Sequence, residues 1–460
     1  MKGIIIQLHY HSKFAGVYSV IQNIFELYNH YKKIYISSQP FHDDNIISWV
    51  VPINYNTNYN KNVVNKIAEE ISKNINQLLS ENKYEEIIFI AHNLSLIRNI
   101  NLNFALKQVI NKFKDIKFFF FHHDFFFDGR LKNLKSYVEQ NLNIKNIIES
   151  FLFDSDNLNY IVLSKFDKNF LNNIGIDDCK IQIFKPKIDI NIENNIEENF
   201  EFSEYILMPF KFIRRKNIYE STLLAYYIDN SIPIVITLKA NSEQDVIYQN
   251  KGLDYFNRLN INIKMPSKSY EKSTVYNNAL FIFNPSIKEG FGFAYREPIF
   301  YKKNVLYRKL PYLDDLPNEY YYNYIYIPID DKYKDIIKKL YLEHIFNINN
   351  YLKLDLNYED FNIVKDNLID FGHLDSNIQL EIIQKIALDK SFFHDIININ
   401  KIFFKKVDTI LNVNETVKFE YNNTKILKFC NNNNHTNIEF SSIMKSIRNY
   451  LIEKSIYLLG

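Results

Sequence analysis

The chain is poor in the residues that punctuate most sequences, with Gly 9, Pro 11 and Cys 2 in 460 residues. Average usage puts glycine and proline near roughly 12% combined, so this deficit excludes collagen-like and Pro/Gly-rich disordered classes and makes each remaining glycine informative. Cys179 and Cys430 cannot build a disulfide framework or a four-cysteine zinc site, so the sequence reads as one for a reducing, cytoplasmic compartment. An excess of one charge is also missing. Lys+Arg 55 against Asp+Glu 53 leaves a formal +2, so no global basic field would hold the chain on nucleic acid, and no nucleic-acid partner is expected. No window approaches the ~18 consecutive apolar residues of a membrane span; the aromatic run 118–121 stops at His122-His123-Asp124. Residues 1–10 lack a small-residue cleavage site and read as a strand, not a signal peptide.

What is present is enough apolar residue for a large core, 47% of the chain, and a length that implies about two to four domains. Short apolar runs alternate with longer amphipathic stretches, the pattern of a parallel sheet covered by helices. In the first half the strands are expected at 4–8, 33–37, 86–91, 116–121 and 159–163, with helices at 17–31, 62–79, 103–113 and 134–151. A polar, acidic stretch follows 181–184 and reads as a linker. The pattern then restarts, with strands at 205–209, 232–238, 261–264 and 280–284 and helices at 218–228, 242–259 and 270–277. The expected organisation is an N-terminal Rossmann-like domain over 1–187, a linker over 188–201, a second Rossmann-like domain over 202–395 and a C-terminal extension over 396–460. Residues 331–395 read as helix after helix, and the extension has a candidate β element at 416–429 before the Asn-rich 431–434. Two such α/β domains, facing a cleft, would bind a ligand at the carboxyl edges of their strands.

Three segments fall at those edges. After the strand at 280–284 comes Glu289-Gly290-Phe291-Gly292-Phe293, two of the nine glycines, and a helix start near Gly292, with Glu297 eight residues beyond Glu289. Backbone amides at such a start can hold an anion or a sugar hydroxyl, and the two carboxylates can accept from hydroxyls of one elongated ligand. The bland alternative is a solvated loop acid and a helix-start acid favoured by the macrodipole. After the strand at 205–209, Ile213-Arg214-Arg215-Lys216-Asn217 clusters cations where a diphosphate can be held, Arg as a planar fork and Lys as a point charge. Elsewhere such clusters are more often solvated faces. After the strand at 116–121, His123-Asp124 can act as a base pair, as sugar-hydroxyl ligands or as half a metal site, although no second ligand group at metal spacing accompanies it. A fourth loop, ending at Ala15-Gly16, is placed like a phosphate-binding turn without G-x-G-x-x-G, which disfavours an oxidoreductase.

These residues resemble those of retaining GT-B glycosyltransferases of glycosyltransferase family 4. The family's E-x7-E element matches Glu289 to Glu297, and its Arg-Lys phosphate element matches Arg215-Lys216. More distantly the chain is similar to a glucosylglycerate and mannosylglucosylglycerate synthase branch, through 213–217, His123-Asp124 and Asp370-Phe371-Gly372-His373-Leu374-Asp375 with Gln379. The resemblance covers roughly residues 1–390. It implies a nucleotide-diphosphate sugar donor, no metal or other cofactor, and an acceptor that is a small molecule, a lipid-linked sugar or a polysaccharide.

By the same resemblance Glu289, Lys216, Arg215, His123 and Asp124 would be catalytic. Glu297, Gly290, Phe291, Gly292, Phe293, Gly16, Arg214 and Arg308 would bind the donor. Two departures stand out: Ala15 precedes Gly16 where the family often has paired glycines, and Arg308 is followed by Lys309 where the branch usually has Asp. A non-catalytic scaffold of the same fold, and a sugar-nucleotide epimerase or phosphorylase, are the alternative readings. The aromatics near Phe113 and Phe125 leave contact with the inner face of a membrane open, although a buried cluster accounts for them equally simply.

Overall fold

The computed structural model describes residues 3–11, 16–41, 43–81, 84–188, 200–313, 316, 320–413, 421–430, 438–455 and 457. Two compact units emerge, one of residues 1–187, 347–355 and 422–453, the other of 188–346, 356–421 and 454–460. Most of the polar stretch read as a linker, 189–199, lies outside the described residues.

The first unit is built on seven strands: β1 (Gly3–Leu8), β2 (Lys32–Ser37), β3 (Ile47–Val50), β4 (Glu86–His92), β5 (Lys117–His122), β6 (Leu158–Val162) and β7 (Ile181–Ile183). All pairings are parallel, in the order β3-β2-β1-β4-β5-β6-β7. Ile4, Ile5, Ile6 and Leu8 are all buried, because helices cover both faces of a parallel sheet and the strand reads as a continuous apolar run. Gln7 interrupts that run and is satisfied inside: it donates to the Ile21 carbonyl at 2.9 Å and accepts from His92 Nε2 at 2.9 Å. The helix Lys61–Ser80 starts where the Asn60 side chain accepts from the Asn62 amide, and it buries Val64, Ile67, Ile71, Ile75 and Leu78 along one stripe.

The second unit carries β8 (Tyr205–Lys211), β9 (Ile234–Leu238), β10 (Ile263–Lys264), β11 (Ala279–Asn284), β12 (Val305–Arg308) and β13 (Tyr321–Tyr322), parallel in the order β10-β9-β8-β11-β12-β13. The strand order reverses between β1 and β4 in one sheet and between β8 and β11 in the other. At such a switch the connections leave toward opposite faces, which opens a crevice beyond the carboxyl ends of the two strands.

Some expectations are corrected. The helix expected over 134–151 is two, Leu131–Glu139 and Ile144–Ile148, because Asn141 turns left-handed (φ 62) and Asn143 caps a new start by accepting from the Lys145 amide. The all-helical reading of 331–395 misses a small antiparallel sheet of β14 (Tyr326–Pro328), β15 (Val364–Lys365) and β16 (Leu368–Asp370), whose hairpin turns on Asp366 (φ 50) and Asn367 (φ 63). No strand forms over 421–429, while 416–420 and 431–434 lie outside the described residues. Phe113, Phe125, Phe126 and Phe127 are core residues, and no helix among the described residues is long and apolar enough to cross a membrane.

The cysteines are also corrected. Cys179 and Cys430 form a disulfide, Cα atoms 5.8 Å apart and 251 residues apart in sequence, so cysteine content no longer argues for a reducing compartment. The bond fastens a segment that runs beside β7. Thr424 N donates to the Lys185 carbonyl at 2.9 Å, Lys185 N to Thr424 Oγ1 at 2.8 Å, and Gln182 exchanges bonds with Ile426 O and Lys428 N. An edge strand is thereby covered. Closing a loop of that length restricts the unfolded chain by on the order of 5 kcal/mol. Cys430→Ser, or reduction, is expected to lower the unfolding midpoint by several degrees and to raise the native thiol count from zero; an unchanged midpoint would show that the bond does not form in solution.

Candidate active site

The loops that follow β8 and β11 meet at the switch point of the second sheet. Beyond β11 the chain crosses to a helix at Phe293–Phe300, entering through Gly292 at φ 75. Glycine is needed there for the left-handed backbone, and for space as well: a Cβ would stand 3.2 Å from Leu313 Cδ1 and 3.3 Å from Tyr295 Cδ2. Beyond β8, Arg214–Lys216 forms one 3-10 turn. The two loops are joined by the Ile287 amide donating to the Arg215 carbonyl at 3.0 Å.

That joint brings Glu289 onto the cations. Its carboxylate accepts from Lys216 Nζ at one oxygen and from Arg215 Nη1 at the other, the latter at 3.1 Å, while Arg215 also donates to Lys288 O at 3.2 Å. Glu289 is 7% and Lys216 6% exposed, whereas the Arg215 side chain remains 44% exposed. Burial alone would raise the Glu289 carboxyl, but the charges of Lys216 and Arg215 outweigh it and hold it below its ordinary value. Burial also lowers the Lys216 ammonium against the pull of Glu289, and the Phe210 ring lies 4.8 Å from it. Tyr312 fixes the backbone here by accepting the Glu289 N–H at 2.9 Å. The result is a buried carboxylate and two clustered cations, one of them free to turn toward solvent.

Other cations expected to face a ligand point inward instead. Arg214 donates to the carbonyls of Gly372 (2.9 Å) and Leu374 (2.7 Å) and to Asn217 Oδ1. Gln379 closes the same knot on Asn217 Oδ1 and Phe371 O. Segments 213–217 and 370–379, distant in sequence, are thus one assembly. Arg308, completely buried, is held by both oxygens of Asp370 (2.9 and 2.8 Å) and by Glu220, which the sequence reading missed. Tyr322 donates to the other Glu220 oxygen at 2.6 Å. Gly372 sits against this cluster so closely that a Cβ would fall 2.9 Å from Asp370 Oδ2.

Among the remaining expected donor residues, Glu297 is half-buried and accepts from Lys272 at 2.7 Å, separate from the Glu289 pair. Phe291 and Phe293 are in ring contact at 4.8 Å, and the buried Arg296 covers the Phe291 ring at 4.3 Å while donating to its carbonyl. Gly290 is half-buried in the same loop.

In the first unit, Gly16 opens the helix Gly16–Leu27, exposed, with nothing within 4 Å of a built Cβ; residues 12–15 lie outside the described residues. His123 and Asp124 do not pair with each other. Asp124 accepts from Arg130 at 3.0 Å. His123 stacks on Phe121, centroids 4.2 Å apart, and its Nε2 lies 3.1 Å from His92 Nδ1. Because His92 Nε2 must donate to Gln7 Oε1, neutral His92 accepts at Nδ1, so His123 donates from Nε2 and keeps Nδ1 as a lone pair. Burial pushes His123 down to about 3, so at neutral pH it is this neutral tautomer.

The Arg308 cluster predicts a pH dependence. Burial, opposed by Arg308 and reinforced by Asp370, pushes Glu220 up to about 7 from its ordinary 4.5. In that window the folded state holds a proton that the unfolded state releases, so stability falls as pH rises, by on the order of 3 kcal/mol in total. Denaturant titrations of wild type against Glu220→Gln should show the wild type losing ground between pH 5 and 7; parallel curves would contradict a proton held at this cluster.

No protein-family model matches the chain. Over 360 residues it is 28% identical to a mannosylglucosyl-3-phosphoglycerate synthase of Petrotoga mobilis (strain DSM 10674 / SJ95), covering 72% of this chain and 68% of that protein. Solved structures overlap over most of its length. Sucrose-phosphate synthase from Thermosynechococcus elongatus (11% identity, TM-score 0.49) covers 88% of this chain and 100% of its own. The catalytic domain of starch synthase IV from Arabidopsis thaliana (11%, TM-score 0.46) covers 88% and 99%. These overlaps are too loose to transfer residues or ligands, and the weight rests on the Petrotoga relative and on the two parallel sheets. The chain is a glycosyltransferase with the GT-B fold.

Proposed function

We propose that this glycosyltransferase is a retaining, metal-independent member of glycosyltransferase family 4, moving a sugar from a nucleotide-diphosphate sugar to an acceptor hydroxyl. The observation that carries the reading is the buried Glu289 carboxylate held by Lys216 and Arg215 where the β8 and β11 loops meet. A departing diphosphate needs positive charge that is already in place, and such preorganised charge is commonly worth about 10²- to 10³-fold in rate per group. Arg215 supplies a fork that can leave Glu289 for the phosphates, while Lys216 stays as the buried point charge. Glu289 then offers its freed oxygen to hydroxyls of the transferred sugar, and the amides of 290–293 line the same turn.

Chemically, the acceptor oxygen bonds to the anomeric carbon as the bond from that carbon to the phosphate oxygen breaks. The electron pair stays with the phosphate, which takes the acceptor's proton on the face it vacates. In the first unit, His123 Nδ1 can accept a hydroxyl of sugar or acceptor, with its tautomer set by the His92–Gln7 chain. Glu297 would hold the nucleotide ribose. Arg214 and Arg308 act through the loops they fasten, not through the donor. The name of the Petrotoga relative, a mannosylglucosyl-3-phosphoglycerate synthase, supports sugar transfer to a small acceptor.

Arg215→Gln is the cleanest probe, since the half-exposed side chain can go without stranding Glu289, which keeps Lys216. Turnover should fall about 100-fold, with the melting temperature within a degree or two of wild type and wild-type turnover unaffected by EDTA. Wild-type turnover in Arg215→Gln would contradict the site, and loss with EDTA would contradict metal independence.

A further inference from the structure

The switch point of the first sheet also gathers chemistry that the donor reading leaves unused. β1 ends at Leu8, and His9, Tyr10 and His11 follow; its neighbour β4 ends at His92, and the chain then turns through Leu94–Leu96 to Arg98. Arg98 is half-buried, and among the described residues its guanidinium makes no ion pair or hydrogen bond. Its face lies 4.5 Å from the Tyr55 ring centroid, leaving the N–H edge to act. The Tyr55 hydroxyl in turn meets His11 Nε2 at 2.9 Å.

The backbone holds Arg98 there at a cost. Ile97, fully buried, adopts φ 44 and ψ 38, the only β-branched residue in the left-handed region among the described residues. Such a conformation costs roughly 1–3 kcal/mol and persists only when its surroundings over-determine it. They do: the Arg98 carbonyl accepts from Asn56 N at 2.9 Å, and the next side chain, Asn99, donates to Asn54 O at 2.8 Å. His9, next along the same loop, is not a competing cation, since burial pushes it down to about 4. One guanidinium set beside a phenol and an imidazole fits a small ligand with one anionic group and several hydroxyls.

Resting on the glycosyltransferase reading, we infer that Arg98, with Tyr55 and His11, is an acceptor-recognition site for the carboxylate or phosphate of a small hydroxylated molecule. Arg98 acts here as a specificity residue.

Calorimetric titration of the full-length protein with D-glycerate, inorganic phosphate and, as neutral control, glycerol tests this. At least one anion should bind saturably and glycerol should not; which anion does so separates a carboxylate site from a phosphate site. Arg98→Gln should weaken that binding about tenfold or more, with Arg98→Lys, a charge without the fork, in between. The same anion should still bind Arg215→Gln, and nucleotide sugars should still bind Arg98→Gln, so failure here is distinguishable from failure of the donor site. No anion binding in wild type, equal binding in Arg98→Gln, or binding lost in Arg215→Gln but kept in Arg98→Gln would overturn the inference.

Discussion

A carboxylate removed from water must meet positive charge, and in the second unit that constraint is met twice within one assembly. Glu289 is buried against Lys216 and Arg215, and Glu220 and Asp370 are buried against Arg308. Breaking either arrangement strands a charge, at about 3–5 kcal/mol, so the loops that carry these residues are fastened to one another. The β8 loop, the β11 loop and the segment 370–379 converge because Arg214, Asn217 and Gln379 complete the polar bonds between the two clusters. The consequence for function is preorganisation. Under the proposed function the cations that would meet a diphosphate are already in place, and of Arg214, Arg215 and Lys216 it is Arg215 that retains exposure.

The sheets and the first cluster were legible in the sequence for physical reasons. Strands buried on both faces give unbroken apolar runs such as 4–6 and 281–283, and in a chain with nine glycines the pair at 290 and 292 marks a backbone that comes close to something. Short elements were not legible. β3 is a half-exposed edge strand, and β14 to β16 are two or three residues each, below any periodicity window. The disulfide joins residues 251 apart and has no local signal.

The direction in which a cation points was equally hidden. Arg214, Arg215 and Lys216 are neighbours in sequence and look alike, yet Arg214 faces carbonyls of 372 and 374 while its neighbours face Glu289. Arg308 likewise turns to carboxylates 62 and 88 residues away. One missed signal was readable: Gln7 inside an isoleucine run needs a buried partner, and His92 at the end of the adjacent strand is that partner. That bond sets the tautomer of His123, so the state of the histidine the sequence singled out is set by two residues it did not.

The account's central claim is that Glu289 and its two cations form a site for a nucleotide-diphosphate sugar. The most direct measurement is calorimetric titration of the full-length protein with UDP-, GDP- and ADP-sugars and with the matching free nucleotides, in wild type and in Glu289→Gln. The account predicts saturable binding of one nucleotide series in wild type, tighter for the sugar conjugate than for the free nucleotide, with that advantage lost in Glu289→Gln while the free nucleotide still binds. No binding of any series, or an undiminished sugar preference in Glu289→Gln, would contradict it.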